Sequence, residues 1–107
     1  MSGRPNSLTY RLIYSDTSRR QIRKLNPRTK PQIKTRLEQI SDNPYLGKNL
    51  ERDLSGYMSF RTQRYRIIYK IDEDENVVEV HYVGHRKDIY ELFGDQVRTQ
   101  HRRLADG

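Results

Sequence analysis

The stretch YRIIYKIDEDENVVEVHYV, residues 65–83, decides the fold of this chain. In its first run, every second residue from Tyr65 to Ile71 is large and apolar, which is typical of a strand that buries one face. Its second run, residues 77–83, is rich in β-branched side chains, and residues 72–76 between the runs form an acidic loop of hairpin length. The stretch therefore predicts two adjacent antiparallel strands. The face that carries Arg66 is expected to be open and concave.

Two helices and an earlier strand are predicted on the N-terminal side. Residues 8–14 alternate loosely and predict a first strand, after which residues 15–18 offer N-cap oxygens to a basic helix that extends to Leu25. The dipeptide Asn26-Pro27 interrupts this helix, because the residue before proline avoids helical backbone angles. A second helix ends at Asn43-Pro44 and carries an apolar stripe at spacing i, i+4, i+7. The stripe consists of Ile33, Leu37 and Ile40.

The remaining elements complete the order β-α-α-β-β-β-α. Residues 45–56 are predicted to be a loop anchored in the core by Leu46, Leu50 and Leu54; residues 57–61 form a short strand, and helix signals return at Lys87. This order predicts an α+β fold with a small, antiparallel-dominated, four-stranded sheet. An N-terminal helical hairpin packs on one face of the sheet, and a C-terminal helix follows. Residues 1–7 are expected to be a disordered lead, residues 8–93 the domain, and residues 94–107 a basic tail or helix extension.

Charge is the main clue to partners. The chain has 21 Lys and Arg against 14 Asp and Glu, a net charge of +7, with basic residues in every segment. Such a field attracts polyanions and favours a nucleic acid partner. The alternatives are an evenly solvated surface or docking to an acidic protein. The chain has no cysteine, which excludes disulfides and Cys-based zinc sites. It has no apolar run near 20 residues and no signal-peptide segment, so a cytoplasmic location without membrane contact is expected.

Arginines of two neighbouring strands are the first candidates for binding an anion. Arg66 shares its face with Ser59 and Arg61 if both strands turn that face outward, and Tyr57 lies on the same side. Arg64, in the tight connection, adds charge to the region. Like charges this close are unfavourable unless an anion joins them. The alternatives are a surface salt bridge from Arg66 to Glu79, and solvation of Arg61 and Arg64.

The string VGHRKDIY, residues 83–90, supplies the second set of candidates. Arg86 and Tyr90 are four residues apart, which places them on one face of a helix. An arginine can grip a phosphate, and a tyrosine offers a hydroxyl and a stacking surface; helix capping and core packing are the alternatives. His85 is a candidate because its unperturbed pKa is near neutrality. His81 lies roughly 13 Å from His85 along a strand, so we reject a metal site. No cofactor motif is present.

Together, the strings RYRIIY (residues 64–69) and VGHRKDIY, with the predicted element order, resemble the RelE/ParE toxin superfamily of type II toxin–antitoxin systems. The resemblance covers residues 8–93. RelE-type members cleave messenger RNA in the ribosomal A site, whereas ParE-type members poison DNA gyrase. The arginines and the tyrosine on which RelE-type cleavage depends correspond to Arg66, Arg86 and Tyr90. Tyr57 and Ser59 stand where RelE has two lysines, and Arg61, Arg64 or Lys87 could replace that charge.

The resemblance implies a metal-independent mRNA endonuclease that uses the ribose 2′-OH as nucleophile. In this scheme Arg66 stabilises charge, Arg86 contacts the phosphate and the leaving group, and Tyr90 acts as base or stacks on a base. His85 is a reserve acid or base. The implied partners are the ribosome, mRNA and an acidic RelB-like antitoxin, with no small-molecule cofactor. A ParE-like gyrase inhibitor and a catalytically weak RNA-binding domain remain as alternatives.

Overall fold

The predicted hairpin forms the centre of the sheet in the computed structural model, which describes residues 9–85. Strands β4 (Tyr65–Asp72) and β5 (Val77–His85) pair antiparallel. Strand β1 (Arg11–Tyr14) pairs in parallel with β5, and β3 (Met58–Arg61) pairs antiparallel with β4. The mixture of parallel and antiparallel pairs with helices confirms the α+β class.

The sheet has five strands in these residues, and the prediction of four was wrong. A two-residue strand, β2 (Lys48–Asn49), pairs antiparallel with β3 and gives the order β1-β5-β4-β3-β2. Both β2 residues are exposed and polar, so no alternation of apolar side chains marks them. They pair because the chain that follows the second helix returns alongside β3, where the Leu50 N–H donates to the Tyr57 carbonyl at 2.9 Å.

The two helices form as the sequence predicts. Helix α1 (Asp16–Arg23) begins at Ser15, whose Oγ accepts a hydrogen bond from the Ser18 N–H at 3.0 Å. Helix α2 (Lys30–Asp42) has a proline in its first turn and ends at Asn43. Its predicted apolar stripe is buried against one face of the sheet, here called the inner face. Within residues 9–85, no helix combines the length and apolar content needed to cross a bilayer.

The opposite face of the sheet, here called the outer face, is less open than the sequence suggests. Ile68 and Tyr82 pack there against Leu50 and Leu54, and these four side chains form a second small cluster. The loop prediction placed Leu50 and Leu54 in the core correctly but was wrong for Leu46, which is 49% exposed. The segment between α2 and β3 therefore covers the centre of the outer face.

A β-bulge in β5 changes which side chains share a face. Ile68 pairs with Tyr82 but Tyr69 pairs with Val80, so His81 is an extra residue. Before the bulge, Val80 points to the main core on the inner face; after it, Val83 does. Tyr82 consequently joins the cluster on the outer face.

The pairing of β1 with β5 ends at Val80, and beyond this residue helix α1 lies beside β5. Ser18 Oγ donates to the Val80 carbonyl at 2.9 Å, and Ser15 Oγ donates to the His81 carbonyl at 3.1 Å. The Val83 N–H donates to Gln21 Oε1 at 2.8 Å. Polar side chains of helix α1 and of its N-cap residue therefore provide hydrogen-bond partners for the backbone of β5 where β1 no longer pairs with it. The predicted lead, C-terminal helix and basic tail lie outside the described residues.

Candidate anion site on the outer face of the sheet

Arg66 lies on the outer face of β4, between its cross-strand partners Arg61 on β3 and Gly84 on β5. Its side chain is half-buried, and its Nη1 donates to the Oγ of buried Ser59 at 3.1 Å. The register places Glu79 opposite Lys70 rather than beside Arg66, and Glu79 Oε1 lies 3.1 Å from His81 Nε2. The strand register therefore places Arg66 at the end of the outer face where Arg61 also lies.

The Arg61–Arg66 pair concentrates positive charge at one end of the sheet. Directly opposed like charges on neighbouring strands are unfavourable by themselves. Exposed Arg64 lies in the turn that joins these strands, where the Thr62 N–H donates to the Tyr65 carbonyl at 2.8 Å. An anion beside these guanidinium groups would relieve their repulsion and accept charge-assisted hydrogen bonds. The arrangement suits a phosphate group.

Tyr57 lies on the outer face too, but next to Lys70 and away from Arg66. The Lys70 Nζ is 4.9 Å from the centroid of the Tyr57 ring, and the His81 ring meets the Tyr57 ring edge-on at 5.3 Å between centroids. Burial, and secondarily the Glu79 carboxylate, raises the pKa of the Tyr57 hydroxyl. Of the sequence-predicted residues, the structure thus brings Ser59 and Arg61 to Arg66, and it places Tyr57 in a neighbouring group.

His85 lies on the other side of the sheet from Arg66. Its ring stacks on Tyr65 with 4.7 Å between centroids and an interplanar angle of 29°. Tyr65 is the direct cross-strand partner of His85 and packs against the main core on the inner face. The described structure therefore does not bring His85 together with Arg66. Arg86, Lys87 and Tyr90 lie outside the described residues.

Tyr82 is a neighbour of this site that the sequence did not indicate. Its ring crosses Gly84, the residue opposite Arg66. A glycine inside a strand often marks a close approach of another group, so Gly84 was the available signal. The sequence does not show on which face of the sheet Tyr82 lies, because no residue in this β-branched run identifies the bulge at His81.

The family described as the ParE toxin of type II toxin–antitoxin system, parDE, matches residues 10–90. This chain belongs to that toxin family. The toxin RelG of Mycobacterium tuberculosis is 35% identical over 85 residues, which cover 78% of this chain and 98% of RelG. The sequence-based assignment to the RelE/ParE superfamily is thereby confirmed.

Solved toxin structures share the fold of this chain. The toxin–antitoxin complex RelBE2 from M. tuberculosis contains a chain with 33% identity and a TM-score of 0.70; the match covers 74% of this toxin and 93% of that chain. The isolated RelE toxin of E. coli has 23% identity and a TM-score of 0.64, over 84% of this toxin and 97% of RelE. At 23% identity, the similarity to E. coli RelE shows a shared fold and nothing further. The toxin is thus a RelE-like α+β protein of a type II toxin–antitoxin system.

Proposed function

We propose that this toxin is a ribosome-dependent mRNA endonuclease that cleaves through attack of the ribose 2′-OH on the adjacent phosphate. The observation that carries the proposal is the pairing of Arg66 with Arg61 on the outer face, with Ser59 bound to the Arg66 guanidinium. This site can bind a phosphate and stabilise the extra negative charge of a phosphorane. The similarity to the M. tuberculosis toxins RelG and RelE supports the same activity, because RelE-type members of the superfamily cleave messenger RNA.

In this mechanism Arg66 stabilises charge on the phosphate, Arg86 contacts the phosphate and the leaving group, and Tyr90 serves as base or stacks on a base. Arg61, Arg64 and Lys87 contribute positive charge. The stacking of His85 on Tyr65 does not favour the role of reserve acid or base. Because arginine and tyrosine have reference pKa values far above neutrality, such a site is a weak general acid–base catalyst. Alignment of mRNA by the ribosome would compensate through orientation.

An antitoxin is the partner that this function requires in the cell. In the RelBE2 complex of M. tuberculosis and the RelBE complex of E. coli, a toxin with a similar fold is bound to an antitoxin. For this chain we propose an acidic RelB-like antitoxin, whose charge would complement the net charge of +7. Because mRNA and ribosomes are the targets, the cytoplasm is the proposed location.

The direct experiment measures cleavage of mRNA on programmed ribosomes under single-turnover conditions. Arg66→Ala is expected to lower the rate by at least about 100-fold, as is typical when a group that stabilises transition-state charge is removed. Arg20→Ala is the matched control, because Arg20 is exposed on α1. Full activity of Arg66→Ala, in a folded protein, would reject the proposed site.

A gyrase inhibitor is the second candidate, because the matching family is described as the ParE toxin. The absence of a lysine pair at Tyr57 and Ser59 also favours it. Supercoiling assays with purified gyrase, run beside primer extension on mRNA after induction, separate the two functions. Codon-phased cuts without gyrase inhibition support the endonuclease, and inhibition without cuts supports the gyrase inhibitor.

A further inference from the structure

Tyr82 is turned toward the Arg66 face of the sheet by the bulge in β5. Val78 and Val80 point to the main core, so an unbroken alternation would send Tyr82 there as well. The extra residue His81 reverses the alternation, and the Tyr82 ring packs instead in the outer cluster. Bulges beside functional sites often redirect a side chain in this way.

Gly84 makes room for the phenol of Tyr82. A Cβ atom added to Gly84 would overlap the Tyr82 ring and would lie 2.9 Å from its hydroxyl oxygen. The hydroxyl therefore takes the space that a side chain at position 84 would fill. Gly84 is the direct partner of Arg66, and facing side chains on paired strands begin about 5 Å apart. The Tyr82 ring thus lies over the residue that faces Arg66 across the two strands.

We propose that the Tyr82 hydroxyl is a third member of the anion site and donates a hydrogen bond to the RNA phosphate bound by Arg61 and Arg66. This inference rests on the proposed endonuclease function. Arg61 flanks Arg66 from β3, and the phenol flanks it from β5, so the phosphate meets donors from three adjacent strands. The ring is held in place by Leu50, Leu54 and Ile68. A donor fixed in this way loses little conformational freedom when the phosphate binds.

The competing explanation is that Tyr82 only fills space. Its side chain is 5% exposed and belongs to an apolar cluster, as a structural aromatic residue would. Phenylalanine would fill the same space, whereas only tyrosine supplies a donor. The hydroxyl is therefore the group to test.

The test is single-turnover cleavage of mRNA on programmed ribosomes by the full chain with Tyr82→Phe. We expect a loss of about 10-fold to 100-fold, the usual effect of one hydrogen bond to a charged group, at saturating toxin and with an unchanged melting temperature. Tyr45→Phe is the control, because Tyr45 is an exposed tyrosine that lies outside the site. The control should cleave at the wild-type rate.

A second variant moves the phenol without removing it. Gly84→Ala places a methyl group in the space of the ring, so it should slow cleavage at least as much as Tyr82→Phe. In a Tyr82→Leu background, the Gly84→Ala substitution should not lower the cleavage rate further, because the tyrosine ring is absent. Additive losses would show that Gly84 acts independently of Tyr82 and would contradict the proposal.

Arg66→Ala separates failure of this inference from failure of the proposed function. If Arg66→Ala abolishes cleavage and Tyr82→Phe cleaves like the wild type, the Tyr82 inference is wrong while the endonuclease stands. If the wild-type toxin does not cleave mRNA on ribosomes, the endonuclease proposal fails, and the inference fails with it.

Discussion

Tyr69 shows how a single residue links the sheet to the segment that follows α2. Its side chain is fully buried in the main core, and its hydroxyl donates to the Pro44 carbonyl at 2.7 Å and accepts from the Gly47 N–H at 3.2 Å. The ring contributes apolar contacts on the inner face, and the hydroxyl satisfies two backbone groups. Because β2 starts directly after Gly47, these bonds fix the point from which the chain returns along β3.

Tyr69→Phe should therefore destabilise the toxin although it keeps the ring. The Pro44 carbonyl and the Gly47 N–H would each lose a partner, and an unsatisfied buried polar group costs about 1–3 kcal/mol. Urea unfolding followed by circular dichroism measures the change. The exposed Tyr45 provides the control substitution to phenylalanine and should have a smaller effect. Equal stability of Tyr69→Phe and the wild type would contradict this account.

The same phenol predicts how stability depends on alkaline pH. Burial raises the pKa of Tyr69 to about 12 from its usual value of 10.0, and the hydrogen bond from Gly47 offsets part of the increase. Between these values the unfolded chain has released this proton and the folded chain retains it. The contribution to the unfolding free energy is thus fully present below pH 10 and falls as the pH rises toward 12, by up to about 1.4 kcal/mol per pH unit.

This pH dependence is measured as a difference between the wild type and Tyr69→Phe, because other tyrosines also titrate in this range. Urea unfolding at intervals between pH 9 and 12 should show a steeper loss of stability in the wild type. Parallel curves for the two proteins would mean that Tyr69 titrates alike in the folded and unfolded states.

At the scale of elements, the residues that could be predicted are those whose side chains repeat with a regular period. The α2 stripe and the alternation in β4 located the inner face, because both patterns reflect one buried side. Strand β2 could not be found this way, since Lys48 and Asn49 are exposed and pair only through their backbone. The bulge at His81 could not be predicted either, because no residue type in this run marks it. It determines that Tyr82 joins the Arg66 face and that His85 leaves it.

The use of α1 to complete the edge of β5 makes a local prediction. Gln21→Ala removes the acceptor of the Val83 N–H, so this amide should exchange with solvent faster. Hydrogen exchange monitored by NMR resolves the change at Val83. Gln32→Ala is the matched control because Gln32 is exposed on α2. Unchanged protection at Val83 would indicate that the helix backbone alone shields this edge.

Across the described molecule, charge is distributed unequally between the two ends of the β4–β5 hairpin. The turn before β4 carries Arg64 next to Arg61 and Arg66, whereas the end of β4 and the loop after it contain the acidic residues 72–75. The two ends are separated by about 23 Å at the usual rise of a strand. A polyanion should therefore approach at the arginine end, and the acidic loop should point away from it.

The salt dependence of RNA binding tests this polarity. Arg61→Gln with Arg64→Gln removes two phosphate contacts, so the slope of log K against log salt should become shallower by about 1.4, at 0.7 per contact with a single strand. Asp74→Asn with Glu75→Gln is the matched control. It changes the net charge of +7 by the same two units, but in the opposite direction and at the other end. Filter binding of a single-stranded RNA at several salt concentrations measures both slopes. We expect the control slope to stay unchanged, because the acidic loop does not contact the RNA. Equal and opposite changes in the two variants would mean that total charge, rather than the arginine end, determines binding.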